Sequence, residues 1–179
     1  MLHVDILDGY YSPSMPIGLD TIRQLRGKTE MLFDVHVMVM QNEFFIEQLL
    51  EIGSHRICFQ IETERHVSRK LTMLKNAGAG AGIALSPATP LSGLEYALEL
   101  CDFVLLMMIN PGFASFCGAA RYGFMLRKIE QLRNTIEARG LQTEIQPDGR
   151  VGAAEMVMLR EDGADGLVRG ATCLLGGGG

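Results

Sequence analysis

The chain has 179 residues, 16 basic and 21 acidic side chains, and a formal net charge of -5. That balance leaves no basic footprint for nucleic acid, and no apolar run approaches the roughly 20 residues needed to cross a bilayer. With 47% hydrophobic and 21% charged residues, the composition is that of a soluble globular domain with one substantial core.

Seven short β-rich runs follow one another along the chain: Leu2–Leu7, Met31–Val39, Arg56–Glu62, Gly80–Leu85, Phe103–Ile109, Thr143–Asp148 and Gly166–Gly170. Between them lie stretches with helical spacing of apolar residues, for instance Phe45, Leu49, Ile52 and later Ile129, Leu132, Ile136. Gly27, Gly53, Asn76-Ala77-Gly78 and Gly140 mark the points where elements stop. Strands alternating with helices at intervals of about 25 residues imply parallel βαβ units. Either an open doubly wound sheet or a barrel could be built from them.

Side-chain alternation favours the barrel. Residues i and i+2 of a strand share a face, so the first run puts His3, Asp5 and Leu7 opposite Leu2, Val4 and Ile6. The second puts Asp34, His36 and Met38 opposite Phe33, Val35 and Val37, and the third sets Cys58, Gln60 and Glu62 against Ile57, Phe59 and Ile61. The sixth gives Glu144, Gln146 and Asp148 one side. A doubly wound sheet meets helices on both faces and needs both apolar. A barrel with helices outside and a polar interior explains one apolar and one ionisable face.

Ionisable groups pointing into a barrel are costly unless paired or bound to metal. His3, Asp5, His36 and Asp148 are expected to converge from three strands. Two imidazoles and two carboxylates suit Zn²⁺, and also Mn²⁺ or Fe²⁺, although a structural ion network uses the same residue types. Lys28, Lys70, Lys75 and Lys128 all fall in helical or loop segments, so no strand supplies a lysine for an imine-forming aldolase. The start, Met1-Leu2-His3-Val4-Asp5, lacks the basic and apolar stretches of a signal peptide. Cys58, Cys101, Cys117 and Cys173 are widely separated with no Cys-x-x-Cys pair. Reduced thiols and a cytoplasmic location are the expectation.

Four ordered motifs carry a resemblance. Leu2-His3-Val4-Asp5-Ile6-Leu7-Asp8-Gly9 with Pro13, Asp34-Val35-His36-Val37-Met38-Val39, Asn110-Pro111-Gly112-Phe113 and Asp148-Gly149 resemble signatures of the ribulose-phosphate 3-epimerase family, in the family's order. The resemblance implies a TIM (β/α)8-type barrel that epimerises a ketose phosphate at C3, with D-ribulose 5-phosphate the default substrate and D-allulose 6-phosphate its rival. It implies a divalent metal, zinc first, held by His3, Asp5, His36 and Asp148, with Asp5 and Asp148 also the two acid/base carboxylates. It places Met38 and Met107 along the substrate and Gly112, Gly149, Gly170 and Ala171 at its phosphate. A homo-oligomer with a small phosphorylated sugar as its partner, and neither nucleic acid nor membrane, completes the expectation.

Departures accompany the resemblance. Met1 falls almost on the family's second strand, and the last helix is replaced by Gly176-Gly177-Gly178-Gly179. The expectation is therefore one domain over residues 1–175, a barrel lacking its first strand-helix unit and last helix, with a glycine tail over 176–179. An active epimerase and an inactive relative serving as a binding or assembly protein both fit it. Gly149-Arg150 and Gly170-Ala171 stand where the family has Gly-Gly and Gly-Ser, Tyr10-Tyr11-Ser12-Pro13-Ser14 differs from the usual loop, and Gln60 stands where it favours His. Neither Asp34 nor Gln60 is expected to bind metal: Asp34 is expected to support the ligands, and the change at Gln60 bears either on packing or on contacts behind them.

Overall fold

The structure, a computed structural model, describes residues 1–14, 17–111, 120–149, 151 and 153–170. The chain divides into two compact units, Met1–Ala84 with Leu100–Asp102, and Leu85–Glu99 with Phe103–Gly179.

In the first unit, strands β1 (Leu2–Leu7), β2 (Phe33–Met38), β3 (Arg56–Gln60) and β4 (Gly80–Leu85) pair in chain order, all parallel. Helices α1 (Leu19–Arg26), α2 (Asn42–Ile52) and α3 (Val67–Asn76) connect them. Helix α2 turns Ile46, Leu49 and Ile52 inward and packs on β2, where Phe33, Val35 and Val37 are buried. Removing such side chains from water stabilises the unit by about 1.5–3 kcal/mol each. The helix ends at Gly53, whose φ of 87° is left-handed, so that its N–H and that of Ser54 return to the carbonyls of Leu50 and Leu49. The parallel register sets His3 beside Asp34 and Asp5 beside His36.

The second unit carries β5 (Phe103–Met107), α4 (Ala120–Ala138), β6 (Glu144–Asp148) and α5 (Ala153–Glu161), with β5 and β6 parallel. Helix α4 buries Ile129, Leu132 and Ile136 at the expected spacing and packs on β6 and α5. Short 3-10 turns at Leu91–Leu94 and Leu98–Leu100 stand between β4 and β5. Lys128 is buried in α4 and donates from Nζ to the carbonyls of Ser86 and Pro87.

This is the α/β class with parallel strands that the alternation required. Two elements differ from expectation. The third run stops as a strand at Gln60, and Ile61–Thr63 form a 3-10 turn that takes Glu62 out of the strand. Gly166–Gly170, expected as a seventh strand, is not one. Its backbone starts a parallel ladder, with the N–H groups of Gly166 and Val168 donating to the carbonyls of Ile145 and Pro147. The bond that should return from position 147 cannot form, because proline has no N–H to donate.

Candidate metal centre

The site in the first unit is built on β1 and β2. Adjacent strands lie about 4.8 Å apart and alternate their side chains, so His3 and Asp5 share a face with Asp34 and His36. His3 Nδ1 lies 2.8 Å from Asp34 Oδ2, and His3 Nε2 lies 3.4 Å from Asp5 Oδ1. His36 Nδ1 lies 3.3 Å from the same Asp5 oxygen. One ligand atom from each of His3, Asp5 and His36 falls within 4.8 Å of the others.

The outer hydrogen bonds decide which ring nitrogens face inward with a lone pair. An ionised carboxylate only accepts, so His3 Nδ1–H donates a hydrogen bond to Asp34, which leaves Nε2 as the acceptor of a neutral ring. Gln60, at the end of β3, treats His36 likewise. Its amide, oriented by its neighbours, donates to Glu62 Oε2 at 2.7 Å and to the Ala84 carbonyl at 3.3 Å, and accepts from His36 Nε2 at 3.0 Å. The inner nitrogen of each neutral ring therefore points an electron pair at Asp5 Oδ1. That arrangement is repulsive until positive charge sits within it, either a proton on a ring or a divalent cation. The donor set of imidazole nitrogens and carboxylate oxygen is one that Zn²⁺, Mn²⁺ and Fe²⁺ accept.

Asp5 is divided between two environments. Its side chain is 44% exposed, yet Oδ1 is buried toward the imidazoles. Burial alone would raise its pKa, but when the rings of His3 and His36 carry a proton on their inner nitrogens, their hydrogen bonds and charge more than reverse this and hold the carboxyl well below the usual range. Asp34 is fully buried, and a carboxylate there needs partners. It has His3, and Arg56 Nε at 3.6 Å. Arg56 was not legible as part of the site, although the register pairs it with Asp34. Asp8 was also missed. Its Oδ1 accepts from the N–H groups of Tyr10 and Tyr11 and its Oδ2 from that of Met40, tying the segment after β1 to the one after β2. An Asp opening an Asp-Gly turn is the signal that could have found it.

The profile of the ribulose-phosphate 3-epimerase family matches residues 1–174. The chain belongs to that family. It is 34% identical over 172 residues to the chloroplastic ribulose-5-phosphate-3-epimerase of Arabidopsis thaliana, covering 95% of this chain and 60% of that protein. It is 33% identical to the ribulose-phosphate 3-epimerase of Treponema pallidum (98% and 79% covered) and 34% identical to that of Escherichia coli (96% and 75%). The chain thus spans three fifths of the Arabidopsis relative's length. Among solved structures it resembles a mutant tryptophan synthase alpha-subunit from Pyrococcus furiosus, with a TM-score of 0.60 at 14% identity over 86% of this chain and 61% of that one. A chain of the tryptophan synthase a2b2 complex from the same organism matches with a TM-score of 0.60 at 14% identity over 86% and 62%. That likeness shows the fold alone, an α/β fold of the TIM-barrel type.

The other residues singled out in the sequence are placed as follows. Met38 ends β2 and Met107 ends β5, and both are buried. Asp148 ends β6 in the second unit, 8% exposed, with its carbonyl accepting from the Met108 N–H. Gly149 follows with φ 109°, and a Cβ there would stand 2.7 Å from Ile109 Cγ1, so no other residue fits without a shift. Gly170 is exposed with open space around its Cα. Gly112, Arg150, Ala171, Cys117, Cys173 and the glycines of 176–179 lie outside the described residues. Cys58 and Cys101 are buried thiols, and burial pushes the Cys101 thiol up to about 12. Among the described residues no helix is long and apolar enough to cross a membrane.

Proposed function

We propose that the protein epimerises a ketose phosphate at C3, with D-ribulose 5-phosphate and D-xylulose 5-phosphate as the pair interconverted. The observation that carries this reading is the aim of His3 Nε2 and His36 Nδ1 at Asp5 Oδ1. Family membership and the chemistry of the donor set support it.

In this reading His3, Asp5, His36 and Asp148 hold a divalent cation, zinc in the first instance. When bound, the cation supplies electrophilic stabilisation for the negative charge that develops as C3 loses its proton. Asp5 and Asp148 move the proton. One carboxylate removes it from C3, and the other delivers a proton to the opposite face, so the configuration inverts without net redox change. Met38 and Met107 shape an apolar wall along the substrate carbons. Gly112, Gly149, Gly170 and Ala171 present backbone N–H groups to the phosphate, the usual role of the loops after the last strands of such barrels. The reading further takes the protein as a cytoplasmic homo-oligomer.

The test is conversion of D-ribulose 5-phosphate to D-xylulose 5-phosphate by protein stripped of metal and then supplied with Zn²⁺ or Mn²⁺. Conversion that disappears on stripping and returns with metal is expected. A folded, metal-loaded protein that converts neither this substrate nor D-allulose 6-phosphate would refute the reading and favour an inactive family member.

A further inference from the structure

Gln60 has no part in the chemistry above, yet it is fully buried at the end of β3 and contacts a proposed ligand. A buried amide is costly unless both its ends are satisfied, and here they are satisfied in one orientation only. On one side stand two acceptors, Glu62 Oε2 at 2.7 Å and the Ala84 carbonyl at 3.3 Å. Neither can donate, so both face the NH₂ group. On the other side stands His36 Nε2, 3.0 Å from the amide oxygen, and it must therefore carry the proton. Glu62 and Ala84 thus orient Gln60, and Gln60 in turn selects the tautomer of His36.

We infer that Gln60 is a positioning residue. It locks His36 in the tautomer with Nε2 protonated and turns the Nδ1 lone pair toward Asp5 and the cation. The inference rests on the metal-site reading for the cation, but its first half concerns the metal-free protein alone. His3 shows the alternative device, since a carboxylate, Asp34, holds its outer nitrogen at 2.8 Å. A carboxylate brings charge and a neutral amide does not. His36 is therefore fixed in direction without a negative charge at its outer nitrogen, and the orientation of the amide sets the choice. Outer partners of this kind commonly change metal affinity by about 10–100-fold when removed.

The experiment compares wild type and Gln60→Met. Methionine fills similar volume and offers no strong acceptor. Two quantities are read, the His36 tautomer by ¹⁵N–¹H correlation NMR of the metal-free protein at mildly alkaline pH, and Zn²⁺ affinity by competition with a chromophoric chelator. Expected results are a single tautomer protonated at Nε2 in wild type, and mixed tautomers in Gln60→Met with Zn²⁺ binding weakened about tenfold or more. A folded Gln60→Met protein with an unchanged tautomer and Zn²⁺ affinity within about twofold would overturn the inference. If Gln60→Met does not fold, wild type still decides, because a neutral His36 protonated at Nδ1 instead of Nε2 contradicts the lock outright. A tautomer that responds to Gln60 in a protein that binds no Zn²⁺ would overturn the metal reading while supporting the lock.

Discussion

In the first unit the ionisable residues are held by one another's side chains, His3 by Asp34, His36 by Gln60 and Asp34 by Arg56. In the second unit Asp148 sits between two backbone devices, a proline before it that cannot donate to the next segment and a left-handed glycine after it. The contrast separates two kinds of restraint, one acting through side chains and one through the backbone. A side-chain network sets the direction and proton state of its members, so it tolerates no loss of a partner. A backbone device sets position alone, so it is sensitive to φ and to steric room but indifferent to charge.

The sharpest way to break the comparison is at Asp34. Replacing it with alanine removes the partner of both His3 Nδ1 and Arg56 Nε in a fully buried place. Denaturant unfolding should show a loss of about 3–5 kcal/mol. The Asp34→Asn variant keeps one acceptor oxygen, and it should retain the fold while weakening Zn²⁺ binding by about 10–100-fold. A near-neutral Asp34→Ala, within about 0.5 kcal/mol, would mean the network does not hold the first unit's polar residues.

In the second unit Gly149→Ala should cost about 1–3 kcal/mol, from the unfavourable backbone region and from a Cβ 2.7 Å from Ile109 Cγ1. Equal stability of the two proteins in thermal melts would show that the strain at 149 is relieved at no cost. The smallest effect belongs to Pro147→Val. It restores an N–H facing the Gly166 carbonyl, and a gain of about 0.5–1.5 kcal/mol is expected, with the new amide at 147 protected from hydrogen exchange. An unprotected amide there would show that something other than proline interrupts the ladder after β6.

Much of the first unit was legible because alternation is a local property. His3 and Asp5 had to share a face, as did Asp34 and His36, and parallel pairing then set the four side by side. The supporting role of Asp34 was expected in kind, and that of Gln60 only as an alternative to packing. Their partners were not. Arg56 lies one strand further on, and Glu62 reaches back from a 3-10 turn that the hydrophobic pattern read as strand. Both depend on register and turn geometry, which periodicity does not encode. Pro147 was visible in the sixth run from the start, and a rule against proline in paired strands would have questioned the strand expected over 166–170.

The most direct test of the account is exchange of the C3 proton of D-ribulose 5-phosphate into deuterated water, followed by NMR for wild type, Asp5→Asn and Asp148→Asn with Zn²⁺ present. It reads proton removal itself, even where net conversion is slow. The account predicts metal-dependent exchange in wild type that falls by about 10²–10⁴-fold in each variant. Exchange that persists undiminished in folded Asp5→Asn and Asp148→Asn proteins, or that never appears in metal-loaded wild type, would contradict it.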